Sequence, residues 1–184
     1  MADYFSDHYS ATVGATSVDD PRIKAAPGIA HAKIHYKRAV VTVPTTVLAA
    51  DVARFMTLKT SDRILDIQLT KVVTTTATTW TADMGCYNST LNHAGPVIDV
   101  DMFASAFNIL QVLNRSDQFA EASLEVEDRG KMLYQLADDT LGSAVYDNDP
   151  HEAWDLALTM VTVTGVPAIP AEIIMEVRYT SAGS

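Results

Sequence analysis

This sequence predicts a mainly β fold: an antiparallel β-sandwich, jelly-roll-like, with one short helix and an extended N-terminal arm. Three observations lead there. Short aliphatic runs rich in β-branched residues recur from Lys33 onward, turn-forming residues separate them, and no strand alternates with a long helix. A length of 184 residues with 48% hydrophobic content suits one core, since single domains commonly hold roughly 100 to 200 residues. The expected division is an arm over 1–30 and a sandwich over 31–184.

The first thirty residues hold no helical or alternating period for more than a few positions, and Pro21, Pro27, Gly14 and Gly28 interrupt them. Tyr4, Phe5 and Tyr9 are large apolar groups that gain little from water, so the arm is expected to dock on its own domain or on a neighbouring subunit. From Lys33 the texture changes. "KIHYKRAVVTV" places Ile34, Tyr36 and Val40 on one parity and Ala39, Val41 and Val43 on the other, and Pro44 ends this strand. "VARFMTL" alternates next. In "RILDIQLTKVV" Leu65, Ile67 and Leu69 are expected inward and Asp66, Gln68 and Thr70 outward, as in an antiparallel sheet with one wet face. After a threonine run, Trp80, Ala82, Met84 and Cys86 alternate with Thr81, Asp83, Gly85 and Tyr87.

The short helix is expected in "DVDMFASAFNILQVLN", where Met102, Phe103, Ala106, Phe107 and Leu110 recur at helical spacing behind a capping Asp99 or Asp101. "SLEVED" reads as a further strand. "GKMLYQLAD" fits a strand through Met132, Tyr134 and Leu136, or a helical turn through Leu133, Leu136 and Ala137. At the end, Leu156, Leu158 and Met160 share one face of "DLALTMVTV", and Ile173, Met175, Val177 and Tyr179 share one face of "EIIMEVRYT". The proline-bearing "TGVPAIPA" between them is too long for a tight turn, so a long hairpin with a projecting loop is expected.

Composition narrows the function. The net charge is -10, from 23 acidic and 13 basic residues, with no long basic run to displace counterions from phosphate, so no nucleic-acid partner is expected. Neither a signal peptide nor a membrane span is expected. Cys86 is the one cysteine, which leaves no intrachain disulfide and no cysteine-based zinc site.

Candidate chemistry is sparse. His31 and His35 are four apart in "HAKIH" but lack the glutamate of a helical zinc motif, and His8, His93 and His151 lie isolated in polar stretches. Asp147, Asn148, Asp149 and Glu152 offer oxygen ligands for calcium, yet the EF-hand glycine and spaced glutamate are missing, and a solvated loop is the simpler reading. Trp80 and Trp154 could form a sugar-stacking platform, although their place at the ends of apolar runs favours core packing. No nucleophile elbow, phosphate loop or dinucleotide fingerprint occurs, so neither catalytic residue, metal nor cofactor is expected.

The C-terminal half carries a resemblance. "RGKMLYQLADD", a Tyr- and Asp-bearing loop, and "AWDLALTMVTVTGVPAIPAEIIMEVRY" resemble, in order and texture, a group of small structural proteins of tailed bacteriophages that decorate or cement the capsid. "RFMTLKTSDRILDIQLTKVV" is similar to their earlier pair of strands, so the likeness runs roughly from Ala39 to Tyr179 and leaves the arm out. The resemblance implies a non-enzymatic virion protein, made in the host cytoplasm and added to the capsid exterior. It implies the major capsid protein as partner and a homo-oligomer, trimer or dimer, that bridges capsid subunits. Tyr4, Phe5, Tyr9, Ile23 and Ile29 are then the expected subunit or capsid contacts. A head-fibre base, a tail component and a carbohydrate-binding module are the alternatives.

Overall fold

The computed structural model describes residues 33–71, 79–89, 95–111, 116–117, 131–141, 148–165 and 170–181. Its elements are β1 (Ile34–Val43), β2 (Val52–Lys59), β3 (Arg63–Lys71), β4 (Thr79–Asn88), β5 (Val97–Asn108), β6 (Ser116–Asp117), α1 (Leu133–Leu141), β7 (Ala153–Thr164) and β8 (Ala171–Thr180). Two four-stranded antiparallel sheets form, in the orders β1-β8-β3-β6 and β2-β7-β4-β5. Within them β1 pairs with β8, β2 with β7, β3 with β6 and β4 with β5, as if one long hairpin had been bent into two layers. This is the jelly roll, and the mainly β sandwich expected from the pattern is what the chain builds.

The core lies between the sheets. Ile64, Ile67, Leu69, Ile173, Met175 and Val177 meet it from the first, and Trp80, Met84, Trp154, Leu156, Leu158 and Met160 from the second. Burying an aliphatic or aromatic side chain of this size contributes about 1.5 to 3 kcal/mol, so these faces decide which way each strand lies. In β3 a register irregularity between Ile64 and Asp66 shifts the alternation. Ile64 is buried and Leu65 only partly so, which corrects the inward place expected of Leu65; Ile67 and Leu69 face the core as expected.

Two larger corrections concern whole segments. The run from Asp99 to Asn108 is strand, not helix: β5 extends over Val97–Asn108, and only Ile109–Gln111 turn, as a short 3-10 segment. The reason is bulging. Going from Ala82 to Tyr87 advances five residues along β4, while the partners move ten along β5, from Phe107 to Val97, so extra residues of β5 break the period of two. Met102, Phe103 and Ala104 are consequently buried in succession, and Ala106 takes a positive φ of 46°. The helix is instead α1, where Leu133, Leu136 and Ala137 are buried at helical spacing. Its first turn is tied to the β2–β3 connection. Leu133 and Tyr134 amides donate to the Asp62 and Thr60 carbonyls at 2.9 and 3.2 Å, and the Met132 amide donates to Gln135 Oε1 at 2.9 Å.

The second correction is the C-terminal hairpin. β7 and β8 are not paired with each other: β7 is an inner strand of one sheet, between β2 and β4, and β8 an inner strand of the other, between β1 and β3. Gly165, at φ 80°, opens the crossing between layers. "SLEVED" and the arm over 1–30 lie outside the described residues.

At Gly85 two backbones approach closely. A Cβ there would sit 2.0 Å from the Asp99 carbonyl oxygen and 2.5 Å from the Val100 carbonyl carbon and oxygen, because the bulged β5 backbone passes directly over β4. Backbone cannot step aside as a flexible side chain does. Gly85→Ala is expected to lower stability by about 3 kcal/mol, at the upper part of the range for overpacking, read as a fall in the urea midpoint. An unchanged midpoint would mean that β5 does not cross there.

Candidate functional site

The described charged groups converge on structural pairs. Asp155, 1% exposed, accepts from Arg54 Nη1 at 3.2 Å and Thr57 Oγ1 at 2.6 Å. Arg54 also donates to the carbonyls of Gly95 at 2.7 Å and Asn88 at 3.3 Å, and its guanidinium stands 4.6 Å over the Tyr87 ring. A register irregularity between Arg54 and Met56 accompanies this arrangement. The cluster ties β2, β4, β7 and the turn before β5 together. The outer face of the other sheet carries a second network: Arg178 donates to Asp66, Gln68 to Asp66 at 2.9 Å, and the Tyr36 hydroxyl to Glu176 at 2.5 Å, with Arg38 3.9 Å from Glu176.

The calcium candidates are likewise engaged. Asp149 accepts from Thr60 Oγ1 at 2.5 Å and from the His151 amide at 2.9 Å, and Glu152 accepts from Asn88 Nδ2 at 3.0 Å and Trp154 Nε1 at 3.2 Å. Asp147 lies outside the described residues, and among those described no three His, Cys, Asp or Glu side chains gather as a metal group. A cleft of about 410 Å³ beside them is lined by Lys59, Ser61, His151, Glu152 and Ala153. His151 Nδ1 is 3.4 Å from Asp149.

Burial shifts three titratable groups among the described residues. Burial, then the nearby Asp99 and Asp155 charges, pushes the Cys86 thiol well above its usual range, which keeps it protonated and unreactive. Burial and then Asp62 raise Tyr179, whose ring stacks on His35 at 5.3 Å. Burial lowers Lys71, which donates to the Leu110 carbonyl at 3.1 Å. Trp80 and Trp154 are both fully buried, Trp80 donating to Met160 Sδ at 3.1 Å, so neither indole can stack on a sugar.

Several large apolar side chains also stand exposed at the surface. At the far end of β1 a groove of about 270 Å³ is lined mainly by apolar side chains of β1, β2, β7 and the β1–β2 connection, with Thr42 and Asp51 adding polar groups. Its rim is held by the β1–β2 connection, where Ala50 takes a φ of 71° while its amide donates to the Met160 carbonyl at 2.7 Å and the Leu48 amide to Asp51 Oδ2 at 2.8 Å. Leu48, 67% exposed, stands beside it, and Ile34, Tyr36 and Val40 project from the outer face of β1. Sequence reasoning placed these three on one parity without giving them a role; apolar residues on the solvent side of an edge strand were the available signal. Of the expected contacts, Tyr4, Phe5, Tyr9, Ile23 and Ile29 all lie outside the described residues.

The buried pair generates a prediction. Arg54→Met leaves the Asp155 carboxylate desolvated without its cation and is expected to cost about 3 kcal/mol at neutral pH, measured by urea unfolding. A loss under about 0.5 kcal/mol would place the pair among those that contribute nothing.

Comparison with known proteins adds the fold's relatives. No protein-family model and no curated protein matches the chain. Solved structures do, among them two from phage capsids. A chain of the capsid asymmetric unit of cyanophage Pam1 superposes with a TM-score of 0.51 at 16% identity, covering 85% of this chain and 91% of its own. A chain from the capsid of Ralstonia phage GP4 gives a TM-score of 0.57 at 12% identity, covering 88% of this chain and 94% of its own. At these identities the likeness is one of fold: the chain is a jelly-roll sandwich similar, over most of its length, to chains found in phage capsids.

Proposed function

We propose that this chain is a non-enzymatic structural protein of a tailed-phage virion, decorating or cementing the capsid exterior by bridging neighbouring subunits of the major capsid protein. The observation that carries the reading is the jelly roll itself, similar across nearly its full length to two chains from phage capsids. The disposition of polar groups supports it. Arg54, Asp155, Asp66, Arg178, Asp149 and Glu152 hold strands and loops together through hydrogen bonds inside the domain. A protein whose task is to hold particles together needs rigidity and contact area. The exposed apolar residues along β1 and at its groove supply the second.

The protein assembles in the host cytoplasm and joins the head as a homo-oligomer, trimer or dimer, with Tyr4, Phe5, Tyr9, Ile23 and Ile29 as anchors. Buried aromatics commonly dominate an interface's energy, and the arm concentrates three of them in nine residues. Removing residues 1–30 is expected to abolish co-sedimentation with phage heads while leaving the circular dichroism of the sandwich intact. Binding that survives the deletion would take the arm out of the contact.

A further inference from the structure

We propose that the groove between the end of β1 and the start of β2 receives a lysine side chain presented by the capsid-protein partner, with its aliphatic stem along the valine walls and its ammonium on Asp51. The inference deepens the proposed function by naming one contact with that partner, and it rests on that reading for the partner's identity.

The groove combines apolar walls with polar groups. Val43, Val47 and Met160 are its buried lining, and Val52, 41% exposed, stands where it opens. Thr42 and Asp51, both exposed, bring a hydroxyl and a carboxylate to the same groove. Its volume of about 270 Å³ falls just under that of clefts for drug-sized ligands and suits one unbranched side chain rather than a folded segment.

Asp51 is held in place before any ligand arrives. Its amide donates to the Leu48 carbonyl at 3.3 Å, its carbonyl accepts from the Met160 amide at 2.9 Å, and its Oδ2 accepts from the Leu48 amide at 2.8 Å. The preceding Ala50 keeps its left-handed φ of 71° while its amide donates to the Met160 carbonyl at 2.7 Å. Backbone strain of this kind persists only where surrounding bonds over-determine it. Its effect here is to fix one carboxylate beside apolar walls, so little ordering remains to be done on binding.

Charge and geometry together select the occupant. Oδ1 of Asp51 meets no donor and no cation among the described residues, and nearby Arg54 is committed to Asp155. The chain as a whole carries -10, so a cationic group on a partner is drawn towards it. Apolar walls beside a carboxylate fit a side chain that is aliphatic along its length and cationic at its tip, as lysine and arginine both are. The Leu48 amide separates them. With Oδ2 turned to that amide, Asp51 presents one oxygen rather than the two-oxygen edge that a guanidinium takes side-on. A lysine ammonium on its four-carbon stem needs one oxygen, and the Thr42 hydroxyl offers its remaining donors a second.

The test reads the groove and the capsid contact separately. In the full-length chain, n-butylammonium is expected to shift the amide resonances of Val47, Asp51 and Val52, and to bind roughly fivefold more weakly after Asp51→Asn, which keeps an acceptor for the Leu48 amide. Equal binding of 1-butanol would make the occupant uncharged, and tighter binding of n-propylguanidinium would make it an arginine. Either result, or the absence of any shift, overturns the proposal. Self-association of the chain that Asp51→Asn dissolves would overturn it too, because the occupant would be a second copy. On phage heads lacking this chain, Asp51→Asn and acetylation of the heads' lysines are each expected to lower co-sedimentation. Binding indifferent to both sinks the lysine contact and leaves the virion reading standing. Failure of the unmodified chain to bind unmodified heads sinks the virion reading and the partner assigned here, while the titration still decides whether the groove takes an alkylammonium.

Discussion

The fold depends on the burial of β7 against β8 across the core. Leu156, Leu158 and Met160 on one strand and Ile173, Met175 and Val177 on the other are at most 2% exposed, and each strand has a neighbour on both sides within its own sheet. Two strands paired as a hairpin would place these faces in one sheet, both on the same side and in need of a second layer. Set in opposite sheets, they supply that layer to each other. Every other pairing follows: β1 and β3 flank β8, β2 and β4 flank β7, and β5 and β6 complete the edges.

The same arrangement governs where charge can sit. Asp155 is buried within β7 and needs Arg54 from the neighbouring strand; Arg178, on the outer face of β8, finds Asp66 on β3. Ion pairs of this kind contribute little net stability over apolar substitutes, but they penalise strand registers that would separate them. Several polar groups of the described residues thus serve registration, and exposed apolar side chains stand along β1 beside a groove.

Much of this was legible in the sequence, because period-two alternation survives wherever a strand is regular. Trp80, Ala82, Met84 and Cys86 all lie buried on one face, as their spacing predicts. Legibility failed where strands bulge. In β5 the extra residues opposite β4 space Met102, Phe103, Ala106 and Phe107 like a helix, and in β3 one irregularity moves burial from Leu65 to Ile64. The crossing between β7 and β8 was hidden for a different reason: a proline-bearing connection ends a strand but does not say which sheet the next one joins. Of the contact surface, the sequence revealed the exposed parity of β1, whereas the groove is assembled from β1, β2, β7 and the connection between β1 and β2, and no single stretch carries its signature.

The measurement that bears most directly on the account is the copy number of this chain in purified phage heads, counted by quantitative mass spectrometry after heads and tails are separated. A decorating or bridging subunit is predicted at a fixed ratio to the major capsid protein, unchanged between preparations, and confined to the head fraction. Absence from the heads, or recovery with the tails alone, would contradict it.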